Sequence, residues 1–311
     1  MLPRKVHFIV NPVSGGGRTG RLFSELLPDI RKLFGNNYQV HETKQPGEAT
    51  SFAREIPGSA DNLIVAVGGD GTVQEVVNGL FNGQDSTSRR CELGIINTGT
   101  GRGLIKTLNL STSPREQLNH VARLPGRNVD IGSITYRDGC DESRTRLFLN
   151  ECQAGIGGAV VKGVSMNHKL LGGTLAFGTV AARQAVCYKA KEFRVWIDDQ
   201  EQLCSRLIGV VIGNGAHCAG GMQLTPGAKP NDGILEVLLI HDMNPLNRLW
   251  NFSRIYSGTH IRSPYFTCRS CRKIRVDAAE PVLVEADGEL LGTVPFTIAV
   301  IPARIKIRCN I

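Results

Sequence analysis

Three glycine-rich segments lie in the first third of the chain, each directly after an apolar run that predicts a β-strand. They are Asn11-Pro12-Val13-Ser14-Gly15-Gly16-Gly17, Gly68-Gly69-Asp70-Gly71-Thr72 and Gly99-Thr100-Gly101. Glycines allow positive φ and close backbone approach, and N–H groups at the start of a following helix can bind phosphate oxygens. One such segment is most simply a tight turn, but three together indicate a cradle for nucleotide phosphates. None has the Walker A or dinucleotide-fingerprint spacing.

Asp70 lies inside the second segment, where a carboxylate repels phosphate unless it binds a metal ion or a fixed hydrogen-bond donor. The alternative is a cap for the helix that begins at Gly71. Thr72 and Glu75 fall on the first turns of that helix, where the threonine hydroxyl can contact phosphate or cap the backbone.

Two acidic turns occur later in the chain. Asp287-Gly288-Glu289 follows the apolar residues 282–286, and Asn231-Asp232-Gly233 precedes the apolar residues 234–240. Each is by itself an ordinary turn, so neither pattern alone assigns a function.

Strand and helix patterns alternate through residues 1–127. Strands are predicted at residues 5–10, 38–43, 63–67 and 93–96, and helices at residues 20–34, 48–56, 71–81, 104–108 and 113–123. Such alternation predicts an α/β domain with a doubly wound parallel sheet. The carboxyl ends of parallel strands share one edge, so the glycine-rich segments can converge there.

From residue 128 the pattern changes to short β-rich runs. Strands are predicted at residues 128–136, 146–152, 193–197, 207–212, 234–240, 273–276, 282–286 and 296–301, and helices at residues 174–191 and 245–256. Many strands close in sequence favour a β-sandwich or barrel. The length of 311 residues fits two domains, which we expect at residues 1–127 and 128–311.

The chain carries 36 basic and 28 acidic side chains and a formal net charge of +8. Its basic runs near residues 269–275 and 304–308 lack the interleaved aromatic residues of a nucleic-acid platform, so they favour an anionic membrane surface over nucleic acid. Solvated strand edges are the alternative. No apolar run is long enough to span a bilayer, and the nine cysteines have no disulfide-framework spacing. These features predict a cytoplasmic protein, peripheral to the membrane.

Taken together, the motifs resemble the catalytic-domain family of diacylglycerol kinases, which includes soluble bacterial lipid kinases and the related sphingosine and ceramide kinases. The resemblance extends over nearly the whole chain. Besides the segments above, it rests on Glu75-Val76-Val77-Asn78-Gly79-Leu80, Phe148-Leu149-Asn150, Gly155-Ile156-Gly157, Gly213-Asn214-Gly215, Gly220-Gly221 and Pro226-Gly227-Ala228.

The resemblance implies a kinase with a nucleotide-binding α/β domain, a β-sandwich domain and an active cleft between them. ATP would be the phosphoryl donor, and its contacts would be Thr43, Gly69, Asp70, Gly71, Thr72, Val73, Gln74, Glu75 and Thr100. Asp287 would be the general base on a lipid hydroxyl, with diacylglycerol as the first expected acceptor, and Glu289 could orient it or hold a second metal ion. A structural Mg²⁺ site would use the Asp232 carboxylate and the carbonyls of Lys229 and Ile234.

Two positions depart from the family pattern. Arg102-Gly103 stands where Asn-Asp is usual, and Gln74 stands where Asn is usual. An arginine at position 102 could reach phosphate or alter the nucleotide preference.

Two other functions stay open. An NAD kinase shares the Gly-Gly-Asp-Gly-Thr loop, and a non-catalytic nucleotide or lipid sensor could keep the fold while Arg102 and Gly103 abolish turnover. The lipid kinase is favoured, because Asp287-Gly288-Glu289 and residues 226–233 match lipid kinases. The oligomeric state is open, a homodimer included.

Overall fold

The computed structural model describes residues 5–59, 62–81, 91–99, 101–138, 142–171 and 173–311. The chain divides into two compact units. The first comprises Met1–Asp130 with Pro302–Ile311, and the second comprises Ile131–Ile301.

The first unit alternates strands with helices, as predicted. Its elements are β1 (Lys5–Val10), α1 (Ser14–Phe34), β2 (Tyr38–Glu42), α2 (Glu48–Glu55), β3 (Asn62–Gly68), α3 (Asp70–Leu80), β4 (Glu92–Asn97), α4 (Gly103–Thr107) and α5 (Pro114–Arg123). The strand β5 (Gly126–Arg137) then leads into the second unit.

The second unit is rich in strands. Its further elements are β6 (Ser143–Phe148), β7 (Glu151–Gly155), α6 (Ile156–Leu171), α7 (Gly173–Cys187), β8 (Lys191–Ile197), β9 (Gln200–Gly213), β10 (Leu235–His241), α8 (Pro245–Ile255), β11 (Phe266–Cys271), β12 (Lys273–Ala278), β13 (Leu283–Ala286) and β14 (Glu289–Arg308).

The first unit contains a parallel sheet in the order β2-β1-β3-β4. Alternate residues of β1 point to one face, where Val6, Phe8 and Val10 pack with Ile30 of α1 and Leu118 of α5. All five side chains are buried, and each such burial contributes about 1.5–3 kcal/mol. The predicted α/β fold is confirmed.

The second unit contains a closed ring of antiparallel strands. The ring runs β9-β7-β13-β14-β12-β8 and returns to β9. Alternate residues of β8, namely Phe193, Val195 and Ile197, point into its core. β10 pairs with β9 and β11 pairs with β10, both outside the ring. The predicted β-rich second domain is confirmed, with its strands closed into a barrel.

The end of β14 belongs to the first unit. Lys306 and Ile307 pair in parallel with Glu92 and Leu93 of β4, which adds a strand to the sheet. The sequence pattern places residues 302–311 in the second domain, whereas the structure assigns them to the first unit. The physical reason is that a parallel strand pairing joins segments far apart in the sequence, and local periodicity carries no information on it.

Candidate active site

The three glycine-rich segments meet at the carboxyl ends of β1, β3 and β4. Gly15 has φ +62°, and a Cβ atom there would lie 2.6 Å from the carbonyl oxygen of Thr98. A Cβ atom on Gly99 would lie 2.8 Å from the Cα atom of Gly69. The loops are therefore in direct backbone contact, which larger side chains at these positions would prevent.

Side chains also connect the three loops. Asn11 donates a hydrogen bond from Nδ2 to Oγ1 of Thr72 at 3.2 Å, which connects the loop after β1 to α3. The hydroxyls of Thr19 and Thr98 lie 2.6 Å apart and connect α1 to the loop after β4. The edge is thus held in one conformation by contacts between elements distant in the sequence.

Asp70 is the first residue of α3, and it accepts hydrogen bonds from two fixed donors. Asn97 donates from Nδ2 to Oδ1 of Asp70 at 2.6 Å, and the backbone N–H of Gly103 donates to the same carboxylate. Burial raises the pKa of Asp70 above its ordinary value, and the two hydrogen bonds oppose that shift. The helix cap is Gly69, without a side-chain hydrogen bond, so Asp70 binds fixed donors and does not cap the helix.

The expected nucleotide contacts on α3 differ in their exposure. Thr72, Val73 and Gln74 are buried, so their side chains point into the first unit. Glu75 accepts a hydrogen bond at Oε2 from the backbone N–H of Gly47 at 3.1 Å, which links α3 to the loop before α2.

The other expected nucleotide contacts lie at loop ends. Thr43 follows β2 and is buried, and its N–H donates to the carbonyl of Val10 at 2.9 Å. Gly69 and Gly71 flank Asp70 at the N-terminus of α3, where the helix dipole favours an anion. Thr100 lies outside the described residues.

Arg102 stands between two residues that touch Asp70. It has φ +52° and an exposed side chain. A Cβ atom on Gly101 would lie 2.7 Å from Oδ2 of Asp70, and Gly103 donates to the Asp70 carboxylate. Asparagine tolerates the left-handed region far better than arginine does, which explains physically why the family pattern has asparagine here.

In the second unit, Asp287 and Gly288 form the two-residue turn between β13 and β14. Both residues have positive φ, +48° and +86°, as in the tight turns of β-hairpins. The Asp287 carboxylate accepts three backbone hydrogen bonds from the segment that leads into β7. Leu149 donates at 2.8 Å, and Asn150 and Glu151 each donate at 3.0 Å. The direction of this carboxylate is therefore fixed.

Two further acidic residues surround this turn. Glu289 forms an ion pair with Arg146. Glu285 is buried and accepts a hydrogen bond at Oε2 from the N–H of Gly288 at 2.9 Å. Burial in an apolar environment, followed by the neighbouring Asp287 charge, raises the pKa of Glu285 from 4.5 to about 8.

The sequence interpretation missed Arg146, Glu285 and the role of Asn97. Glu285 had a recognisable signal, because it is a charged residue inside the otherwise apolar strand β13. Arg146 and Asn97 had none, because their partners are distant in the sequence and only the fold brings them together.

The expected Mg²⁺ residues lie on the loop before β10. Asp232 is exposed, and its Oδ1 accepts a hydrogen bond from the N–H of Ile234 at 3.0 Å. Lys229 is exposed on the same loop. One carboxylate with nearby carbonyls fits Mg²⁺, which takes oxygen ligands and keeps several waters. Across the described residues, no group of three His, Cys, Asp or Glu side chains could hold a metal ion.

Both halves of the chain match known families. Residues 5–134 match the diacylglycerol kinase catalytic domain, and residues 151–309 match the YegS C-terminal NAD kinase beta sandwich-like domain. A "probable lipid kinase YegS-like" of Chromohalobacter salexigens is 30% identical over 232 residues, 73% of this chain and 71% of that protein. The chain therefore belongs to the diacylglycerol kinase catalytic-domain family, among the YegS-like lipid kinases.

Other relatives extend over nearly the whole chain. A diacylglycerol kinase of Staphylococcus saprophyticus is 26% identical over 296 residues, 94% of this chain and 91% of that protein. A crystal structure of a diacylglycerol kinase from Bacillus anthracis superimposes with a TM-score of 0.71 at 21% identity, covering 99% of this chain and 97% of that one. The structural likeness establishes the shared fold.

None of the helices in the described ranges has both the length and the apolar character needed to cross a bilayer.

Proposed function

We propose that the protein transfers the γ-phosphoryl group of ATP to the hydroxyl of a lipid, with diacylglycerol as the first acceptor to test. Membership in a lipid kinase family supports a nucleotide donor and a lipid acceptor. The name of the Staphylococcus saprophyticus relative supports diacylglycerol as the acceptor.

The observation that carries the proposal is the fixed carboxylate of Asp287. Three backbone N–H groups hold it on a turn with positive φ. In our proposal Asp287 accepts the proton of the lipid hydroxyl as the phosphoryl group is transferred. Hydrogen bonds to a carboxylate weaken it as a base, but phosphoryl transfer depends mainly on alignment and charge stabilisation. A weak base in a fixed position suits that requirement.

We place the ATP phosphates at the glycine-rich edge of the first unit. Because Thr72, Val73 and Gln74 have buried side chains, the contacts from this part of α3 would come from the backbone. Thr43, Glu75 and Thr100 would complete the set. The hydrogen bond from Asn97 offsets part of the negative charge of the Asp70 carboxylate and so reduces its repulsion of phosphate.

We assign Mg²⁺ two positions. Mg²⁺ bound with ATP neutralises phosphate charge. A second ion would bind the exposed Asp232 carboxylate with the carbonyls of Lys229 and Ile234, and it would stabilise the loop before β10. Asp232→Ala should then abolish the stabilisation of the protein by added Mg²⁺, as measured by thermal unfolding without ATP.

Transfer of labelled phosphate from ATP tests the proposed function. The acceptors are mixed micelles of diacylglycerol, other lipids with a free hydroxyl, and NAD. We expect a labelled lipid with wild type and a loss of roughly 100-fold or more with Asp287→Asn, because a positioned general base contributes about 10²–10⁴-fold. Thermal unfolding and ATP binding of the variant report whether it is folded.

The matched control is Asp277→Asn, which removes a different carboxylate from the second unit, one paired with Arg194. It should transfer phosphate normally. Labelled NADP would identify an NAD kinase, and ATP binding without any product would identify a sensor. Unchanged transfer by Asp287→Asn would exclude Asp287 as the base.

A further inference from the structure

Helix α8 exposes large apolar side chains along one face. Leu246 is 78% exposed, Leu249 is 44% exposed and Trp250 is 68% exposed. Their spacing of three and four residues places them on the same side of the helix. The opposite side is packed, since Asn251 is buried. Large apolar side chains exposed side by side, a tryptophan among them, are unfavourable in water and indicate a binding surface.

Neighbouring elements extend this face. Val186 of α7 is 44% exposed, and α7 packs directly on α8. Tyr256 and Ile261, which follow α8, are also exposed. Most of the exposed large apolar side chains in the described ranges thus lie on α7, α8 and the turn after α8. We refer to Val186, Leu246, Leu249, Trp250, Tyr256 and Ile261 as the apolar face.

The charged residues of α8 and of the turn after it are all basic. Residues 243–262 contain Arg248, Arg254 and Arg262 but no aspartate or glutamate. Arg262 follows Ile261 and is exposed, and so are Arg183 of α7 and Lys189, which follows α7. The nearest acid before α8, Asp242, forms an ion pair with Arg248 at 3.1 Å. The surroundings of the apolar face are therefore cationic.

We propose that the apolar face docks the protein on an anionic lipid bilayer, with α8 lying in the interface. This inference rests on the proposed lipid kinase function, which requires access to a membrane. Leucines and a tryptophan on one side of a helix, with arginines nearby, are the features of an interfacial amphipathic helix. Tryptophan favours the membrane–water interface. The charge argues against a second copy of the chain, because two cationic faces would repel each other.

Tryptophan fluorescence tests this docking directly. The chain contains two tryptophans, so Trp196→Phe leaves Trp250 as the single reporter. Vesicles of phosphatidylglycerol and phosphatidylcholine should shift its emission to shorter wavelength, and brominated lipid should quench it. Vesicles of phosphatidylcholine alone should bind more weakly, and added salt should weaken binding to the anionic vesicles. Unchanged emission with anionic vesicles would overturn the proposal.

A variant and its matched control test the assignment of the face. Leu246→Ser with Trp250→Ala removes two exposed side chains, so the fold should be retained. Binding to anionic vesicles should weaken at least ~10-fold, because burial of each large apolar side chain contributes more than a tenfold factor. Val40→Ser is the control, since Val40 is 38% exposed on β2 of the first unit and is not part of the apolar face. Equal binding by both variants would overturn the assignment.

Two acceptors separate the docking from the proposed function. A short-chain diacylglycerol that dissolves as monomers needs no docking, so the double variant should phosphorylate it normally and lose activity only on vesicles. Vesicle binding without phosphorylation of any lipid would leave the docking standing and reject the kinase function. Phosphorylation of the soluble acceptor without a change in Trp250 fluorescence on vesicles would support the kinase function and overturn the docking. A dimer that the double variant converts to monomer would assign the face to a second copy and overturn the proposal.

Discussion

Asn97 donates a hydrogen bond from its side-chain amide to the carboxylate of Asp70 at 2.6 Å, although 26 residues separate the two in the chain. The same side chain accepts a hydrogen bond at Oδ1 from the N–H of Gly99 at 2.9 Å. Its backbone N–H donates to Oε1 of the buried Gln117 at 2.8 Å. One buried asparagine therefore joins two glycine-rich loops and α5, and it holds a carboxylate at the proposed phosphate edge.

Asn97→Ala should lower the free energy of unfolding by about 1–3 kcal/mol, because it leaves the largely buried Asp70 carboxylate without its side-chain donor. It should also weaken ATP binding, because the loop after β4 loses its contact with Asp70. Chemical denaturation and calorimetric titration with ATP measure the two effects. Asp70→Asn is the comparison, since asparagine retains an acceptor oxygen for Asn97. An Asn97→Ala variant as stable as wild type would contradict the role given to this hydrogen bond.

Arg102→Gly should raise the free energy of unfolding by roughly 1 kcal/mol. Glycine adopts the positive φ of this position without the steric cost that arginine has there. Arg102→Asn should give a smaller gain. Lys106→Ala, a change of charge on the adjacent helix α4, serves as the control. If Arg102 also contacts phosphate, the same glycine variant will bind ATP more weakly while being more stable. Equal or lower stability of both variants in urea denaturation would rule out the conformational cost.

Glu285 should make the protein less stable as the pH rises towards 8. Its pKa is about 8 in the folded protein and near 4.5 when the chain unfolds. The folded state therefore keeps a proton that the unfolded chain releases, and this contribution to stability is present below pH 4.5 and is lost as the pH rises through 8. Glu285→Gln retains an acceptor for the N–H of Gly288 and should be more stable than wild type at pH 8. An equal change in the free energy of unfolding between pH 5 and pH 8 for wild type and Glu285→Gln would contradict this.

His7 should act in the opposite direction, on the acid side. Its Nδ1 lies 3.2 Å from Nε2 of His41. Burial, then the His41 and Lys5 charges, lowers the pKa of His7 from 6.5 to about 4. The unfolded chain binds a proton at His7 that the folded protein does not bind. The contribution of His7 to stability is therefore present above pH 6.5 and is lost as the pH falls through 4. Histidine proton resonances followed by NMR should give His7 a midpoint well below 6. A midpoint near 6.5 would contradict the assignment.

The elements of the first unit were predictable from the sequence. The strands β1, β3 and β4 are short and mostly apolar, β2 is short and more polar, and each of the four is followed by turn residues and a helical pattern. The main difference is at the start of α1, which extends back to Ser14. Gly15, Gly16 and Gly17 have left-handed, non-helical backbone angles, so the regular helix begins only after Gly17, close to the predicted residue 20. Glycines provide no apolar periodicity from which this first segment could be read.

The second unit was less predictable, for reasons specific to its residues. The helix α6 was not predicted, because Gly157, Gly158 and Gly163 weaken its helical pattern. The strand β11 was missed because its sequence, Phe-Thr-Cys-Arg-Ser-Cys, has little apolar content, and half of its side chains are exposed. Residues 146–152, predicted as one strand, belong to β6 and β7, with Leu149 and Asn150 between them.

The site could be predicted only as far as residues and loops. The glycine-rich segments indicated their own convergence, because parallel strands end at one edge. What the side chains bind there could not be predicted: the three amides on Asp287, the arginine on Glu289 and the amide on Asp70 all come from distant parts of the chain. The roles of the expected ATP and Mg²⁺ residues stay predictions.

The final strand has a consequence for the order in which the protein can assemble on the ribosome. The β4 strand is synthesised early, yet its neighbour in the sheet, the end of β14, is synthesised only after the whole of the second unit. Until then the edge of β4 offers unpaired backbone N–H and carbonyl groups, which other chains can bind. The nascent protein therefore has an aggregation-prone interval that lasts while residues 98–305 are synthesised, and chaperone capture should be most needed in that interval.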